Sequence, residues 1–116
     1  MKANELRVGN LVNYDQALHI IGGHSILMIE EGKDIELFKP ILLTEEWLVK
    51  FGFRTEYPLS NERNYYNNNK YVSINYFNGG FRLNVNRLIY GGIKIRYIHQ
   101  LQNLYFSLTG EELELK

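Results

Sequence analysis

Four cations, Arg82, Arg87, Lys94 and Arg96, lie close together in a stretch that also holds Asn75 and Asn84 and contains no acid. From Arg63 to Gly110, 48 residues, there is neither Asp nor Glu. The six cations of that run (those four with Arg63 and Lys70) give it a net charge of +6. Guanidinium, ammonium and carboxamide groups beside an aromatic such as Phe77 are the groups that hold phosphates and stack on bases. Their chemistry is recognition of an anionic ligand, a nucleotide or nucleic acid. Residues 1–62 carry six cations against ten acids, and the segment 111–116 one cation against three. A formal charge of zero therefore conceals a segregated chain, and such asymmetry speaks to partners more than to fold. The competing expectation is that the basic face packs on the acidic half and is neutralised there. A pI near 6.8 argues against strong nonspecific binding to nucleic acid.

Other chemistries find less support in the residue types. His19 and His24 would share a face if Gly22-Gly23 made a hairpin, but a transition-metal site needs further ligands with their own hydrogen-bond support. His99 is far away in sequence, so no metal site is expected. Ser25, Ser60, Ser73 and Ser107 sit in no glycine-rich elbow. Glu30-Glu31, Glu45-Glu46 and Glu111-Glu112 are most simply a turn, the first turn of a helix and a tail, although a hydrolase acting through first-half carboxylates is a third functional reading. Gly22-Gly23, Gly79-Gly80 and Gly91-Gly92 are isolated pairs, with no phosphate-binding loop among them. No cofactor and no enzymatic activity are expected.

The basic residues must be positioned by a sheet. An Asn78-Gly79 two-residue turn pairs Tyr76 with Phe81, Ile74 with Leu83 and Val72 with Val85, all apolar and on one face. Ser73, Asn75, Arg82 and Asn84 then take the other. A second turn at Gly91-Gly92 pairs Tyr90 with Ile93 and Leu88 with Ile95, leaving Arg87, Ile89, Lys94 and Arg96 on the reverse. The change of parity between Val85 and Leu88 requires a bulge or a turn at Asn86-Arg87.

Upstream, Val8–Tyr14, Leu18–Ile21, Ser25–Ile29 and Ile35–Leu43 read as strands, with Pro40 marking an edge or an end. Together they suggest an N-terminal half curled into a small barrel. A short helix over 44–51 has Thr44 as its cap, Glu45 and Glu46 in its first turn, Lys50 in its last and Gly52 beyond. Residues 54–70 show no periodicity and read as a loop, apart from Tyr65 and Tyr66. A helix over 99–109 presents Leu101, Leu104, Tyr105 and Leu108 at i, i+3, i+4 and i+7, closed by Gly110. Phe106 lies off that face with Gln102 and Asn103. Tyr65, Tyr66 and Phe106 are therefore candidate partner contacts.

With 116 residues, 45% apolar, the chain reads as a single α+β domain over 1–116, mostly antiparallel hairpins with two short helices. It has no cysteine, which removes disulfides and thiolate chemistry. The opening residues lack the apolar core of a signal peptide and no apolar run is long enough to span a bilayer, so a cytoplasmic protein with no membrane association is expected. Sixteen aromatics and several strand edges suggest a homo-oligomer.

Two blocks, Pro40 to Phe53 (PILLTEEWLVKFGF) and Tyr97 to Leu113 (YIHQLQNLYFSLTGEEL), resemble a family of small uncharacterised proteins of Bacteroidetes and of their phages and mobile elements. Met1 to Asn13 fits the same family loosely. The resemblance implies a bacterial or phage setting and carries no activity, cofactor or site residues. The first functional reading is a non-enzymatic accessory module acting through contacts with an unknown protein partner. The alternative is a module that binds or sequesters a phosphorylated ligand, a nucleotide signal or nucleic acid, through Arg82, Arg87, Lys94, Arg96, Asn75 and Asn84.

Overall fold

The computed structural model describes residues 1–69, 71–85 and 92–116. The fold is α+β, with two antiparallel sheets and short helices. The first sheet has strand order β2-β1-β3, from β1 (Leu11–Tyr14), β2 (Ala17–Ile20) and β3 (Phe38–Lys39). The second runs β4-β5-β6-β7, from β4 (Glu62–Tyr66), β5 (Val72–Phe77), β6 (Gly80–Val85) and β7 (Ile93–Ile95). The helices are α1 (Gly23–Glu30), α2 (Glu45–Lys50) and α3 (Ile98–Thr109), and α3 lies against β1 of the first sheet and β7 of the second.

The β5–β6 hairpin has the expected register, with Val72 opposite Val85, Ile74 opposite Leu83 and Tyr76 opposite Phe81. The turn is possible because Asn78 and Gly79 both take positive φ, 53° and 78°, as a type I′ turn requires. Tyr76 and Phe81 pack ring to ring with centroids 5.0 Å apart, over a core of Val72, Ile74, Leu83 and Ile95. Strand β7 lies along the free side of β6, with Ile95 opposite Phe81, Lys94 opposite Arg82 and Ile93 opposite Leu83. The bulge at Asn86-Arg87 and the pairings of Leu88 and Tyr90 fall outside the described residues.

Helix α2 is built as its sequence suggests. Thr44 Oγ1 accepts from the Trp47 amide at 3.4 Å, and Gly52 takes φ 88° just past the end. Helix α3 ends at Gly110 with φ 73°. Its buried residues are Ile98, His99, Leu101, Gln102 and Tyr105, a face rotated from the expected one, so that Leu108 is exposed.

Several sequence expectations differ from the structure. The stretch expected as the strand Ile35–Leu43 is a 3-10 turn over Ile35–Leu37 followed by the two-residue β3, because Asp34 is left-handed and starts the turn. Gly22-Gly23 is not a hairpin. Gly22 is extended (φ −112°, ψ 178°) and precedes α1, which covers the stretch expected to be the strand Ser25–Ile29. The run Ile26-Leu27-Met28-Ile29 is apolar without alternation, and such a run suits a strand or a helix equally. The N-terminal hairpin turns instead at Asp15-Gln16, both left-handed (φ 49° and 69°), and pairs Tyr14 with Ala17. No closed barrel is found among the described residues, since the first sheet is open and β3 has only two residues. Within 54–70, β4 pairs along β5 from Glu62↔Phe77 to Tyr66↔Ser73. It was hidden because Tyr65 is its only fully buried residue.

The apolar side chains form two clusters. The larger gathers Leu11, Leu43, Leu48, Phe51, Phe53, Ile74, Leu83, Ile98 and Leu101 among others; the smaller gathers Leu6, Val12, Ile21, Ile29 and Phe38. Leu11 and Val12 are successive residues of β1 and belong to different clusters, because neighbouring strand residues point to opposite faces.

Several backbone and side-chain hydrogen bonds join the two halves of the chain. Leu43 N–H donates to Arg96 O and Ile98 N–H to Ile41 O, each at 2.9 Å. Beside these, Gln102, buried on α3, clamps the start of β1. Its Oε1 accepts from the Leu11 amide at 2.8 Å and its Nε2 donates to Gly9 O at 3.3 Å.

Candidate anion-binding face

Every side chain of the second sheet that points away from the core follows from the registers just given. One rung crosses all four strands as Asn64, Asn75, Arg82 and Lys94. Phe77, on the same face, lies opposite Gly80, whose missing side chain leaves the ring uncovered on that side. Arg96 follows two residues after Lys94, just past the end of β7, at the ~6.6 Å that two extended residues span, and lines the same groove. Its position is fixed by its own backbone: the N–H donates to Gln100 Oε1 at 2.9 Å and the carbonyl accepts from Leu43.

Asn75, Phe77, Arg82, Lys94, Arg96 and Gln100 line an open groove of about 890 Å³ at the end of the sheet near the Asn78-Gly79 turn. Leu42, exposed, borders it. Four of the six residues expected to bind an anion thus come together: Asn75, Arg82, Lys94 and Arg96. Asn84 is on the same face but outside the groove; a Cβ at Gly92 would lie 2.4 Å from its Oδ1, so it is packed against the chain at that point. Arg87 lies outside the described residues, as does Lys70.

The acidic half does take up one member of the acid-free run. Arg63 makes a two-pronged contact with Glu45 (Nε–Oε2 2.8 Å, Nη2–Oε1 2.6 Å) and donates to Ser60 O at 2.6 Å. Tyr65 donates its hydroxyl to the same carboxylate. Burial alone would raise the Glu45 pKa, but hydrogen bonds from Arg63 and Tyr65 and the Arg63 charge hold it below the usual carboxylate range. Burial, then Glu45, push the Tyr65 phenol up. The Arg63 guanidinium also covers the Tyr76 ring at 4.6 Å. This is a staple between α2 and β4, on the core side of the sheet.

Arg82, Lys94 and Arg96 remain exposed, and none of them joins the ion pairs formed among the described residues. Arg82 makes one long contact, from Nη1 to Gly92 O at 3.4 Å. Asn75 Nδ2 donates to Glu62 Oε1 and Asn64 Oδ1, both at 3.1 Å, so the β4 side of the face is polar and mildly acidic. Among the described strand residues of this face the cations are Arg82 on β6 and Lys94 on β7, with Arg96 just past the end of β7.

The expected partner contacts fare less well. Tyr65 is 4% exposed and belongs to the core, which removes it as a contact surface. Tyr66 is half-buried on the outer face, with the Arg54 guanidinium 5.4 Å from its ring centre. Phe106 is partly exposed, but the Arg7 guanidinium lies 4.2 Å over its ring and is itself paired with Glu112. His19 and His24 do not converge: His19 Nε2 hydrogen-bonds Ser25 Oγ at 2.9 Å, and His24 sits in α1. Among the described residues no group of three or more His, Cys, Asp or Glu is placed to hold a metal ion, and no helix is long and apolar enough to cross a membrane. The signal for Gln102 was absent from the sequence, where it reads as a polar position off the apolar stripe. Comparison with known protein families, curated proteins and solved structures finds no match to this chain.

Proposed function

We propose that this protein is a non-catalytic binding module that holds a phosphorylated ligand on the outer face of its second sheet. The observation that carries the reading is the Arg82–Lys94 pair. Two like charges stand directly opposite on adjacent strands, Arg96 is one step further, and no described carboxylate answers them. Like charges in that position destabilise a sheet unless an anion lies between them. Local arrangements that oppose stability concentrate at functional sites. A cytoplasmic location and a bacterial or phage setting belong to the same reading.

The test is a titration with inorganic tripolyphosphate and nucleoside triphosphates at low salt. Arg82→Ala and Arg96→Ala should each weaken binding while leaving the urea midpoint nearly unchanged, since such surface substitutions usually cost within about 0.5 kcal/mol. Absence of binding to any of these anions would overturn the reading.

A second reading, action through protein contacts including self-association, draws on a different surface. Leu18 and Ile20 are 54% and 66% exposed on β2, an edge strand of the first sheet whose outer side pairs with no described strand. Edges of this kind pair with other chains unless they are blunted. Sedimentation at high micromolar concentration tests it, and a 13.7 kDa species throughout would count against self-association.

A further inference from the structure

We infer that the ligand of the basic face is single-stranded nucleic acid, laid across β5, β6 and β7 with a base stacked on Phe77. This inference rests on the phosphate-binding reading and narrows it. A mononucleotide site is ordinarily a concavity that buries most of its ligand. Here the groove is open along its length and its three cations are exposed, so a small ligand would leave part of itself in water. An extended strand gains by spreading weak contacts over such a surface.

The spacing suits a strand. Arg82 and Lys94 are cross-strand neighbours, roughly 5 Å apart at their Cβ atoms. Arg96 extends the row by about 6.6 Å. The cations therefore offer two separated positions for phosphate groups and not one enclosed cradle. Phe77 is 56% exposed, stands diagonally across from Arg82 and has Gly80 beside it, which leaves the ring accessible. Its own strand partner on the other side, Glu62, is acidic, so the backbone of a bound strand is kept toward β6 and β7. Every base has a π-face, so an aromatic beside cations recognises single strands with little sequence preference. A duplex presents its phosphates but hides its bases, and gains nothing from Phe77.

Fluorescence anisotropy with labelled oligo(dT) and oligo(U) of about eight nucleotides, a matched duplex, and tripolyphosphate as competitor separates the possibilities. The expected result is salt-sensitive oligonucleotide binding, tighter than to the duplex. Phe77→Ala should weaken it about five-fold or more while leaving tripolyphosphate binding unchanged. Arg82→Ala should weaken both. The dT and U arms distinguish DNA from RNA as the source of the strand. Binding of tripolyphosphate with oligonucleotides no tighter than a mononucleotide would overturn this inference and leave the phosphate reading standing. Equal loss of both ligands on Phe77→Ala, no loss of either, or a duplex bound as tightly as the strand, would also overturn it. No binding of any anion would remove both. Far-UV circular dichroism of each variant shows that the sheet is intact, and Phe77→Tyr, which keeps the ring, should restore the affinity.

Discussion

Replacing Gln102 by Met tests the junction between the two halves with little change in side-chain length. The substitution removes the acceptor of the Leu11 amide (2.8 Å) and the donor to Gly9 O (3.3 Å), at a position 3% exposed. A buried backbone N–H left without a partner costs about 1–3 kcal/mol. The longer Gly9 contact adds the lower end of the ordinary hydrogen-bond range, about 0.5 kcal/mol. Asn10 is not orphaned, because its Nδ2 still donates to Asn103 Oδ1 at 2.8 Å. Methionine fills the space, so no large cavity term enters. The sum is about 1.5–3.5 kcal/mol, a large share of the ~5–15 kcal/mol that a domain has in total, and corresponds to a fall in Tm of roughly 6–14 °C. Urea denaturation followed by far-UV circular dichroism and by the fluorescence of Trp47, which packs against Phe51 in the larger cluster, gives both probes. A loss below about 0.5 kcal/mol would refute the argument, for it would mean that the Leu11 amide is satisfied some other way.

The remaining predictions concern pH and the hairpin turn. His99 is almost fully buried; burial pushes its pKa below the ordinary value, and Glu5, 3.7 Å from Nε2, only partly reverses this. The unfolded chain then takes up a proton at higher pH than the folded one. The stability should therefore be complete above about pH 6.5 and fall as pH drops below it. Urea midpoints across this range should decline for the parent and decline less for His99→Gln, and an equal decline in the two would exclude His99 as the source. Gly79→Ala should cost about 1–2 kcal/mol, because φ 78° brings a Cβ against the following carbonyl; a neutral result would show that the turn is not type I′.

What could be read in advance was what local chemistry determines. Asn78-Gly79 specifies a turn with two positive φ angles, and alternation on each side leaves one register that buries Val72, Ile74 and Tyr76 together. Parity then places Arg82 and Asn75 on the opposite face without any tertiary information; Lys94 is expected there through a second turn at Gly91-Gly92, which falls partly outside the described residues. The ends of α2 and α3 were legible because Thr44, Gly52 and Gly110 have conformational roles of their own. What failed depended on partners distant in sequence. Helix α1 and a strand are equally good solutions for Ile26–Ile29, and only packing against Leu6, Val12 and Phe38 selects between them. Strand β4 has little apolar signal and is held by pairing to β5 and by the Glu45–Arg63 contact. The Asp15-Gln16 turn uses left-handed residues without glycine, which the sequence does not announce. Gln102 is buried because of what Gly9 and Leu11 need, about ninety positions away.

That junction also bears on how the chain folds while it is being made. Leu43, Leu48, Phe51 and Phe53 leave the ribosome early, yet Ile98, Leu101 and Tyr105, against which they are buried, come about fifty residues later. At the usual pace of synthesis the wait is roughly 3–10 s. During it the β5–β6 hairpin can close on its own, since its contacts are local, whereas α2 must wait with Trp47 and Phe51 open to solvent. The acidic character of residues 1–62 gives the waiting segment a net charge of −4, which discourages association between nascent chains until α3 arrives to cover it.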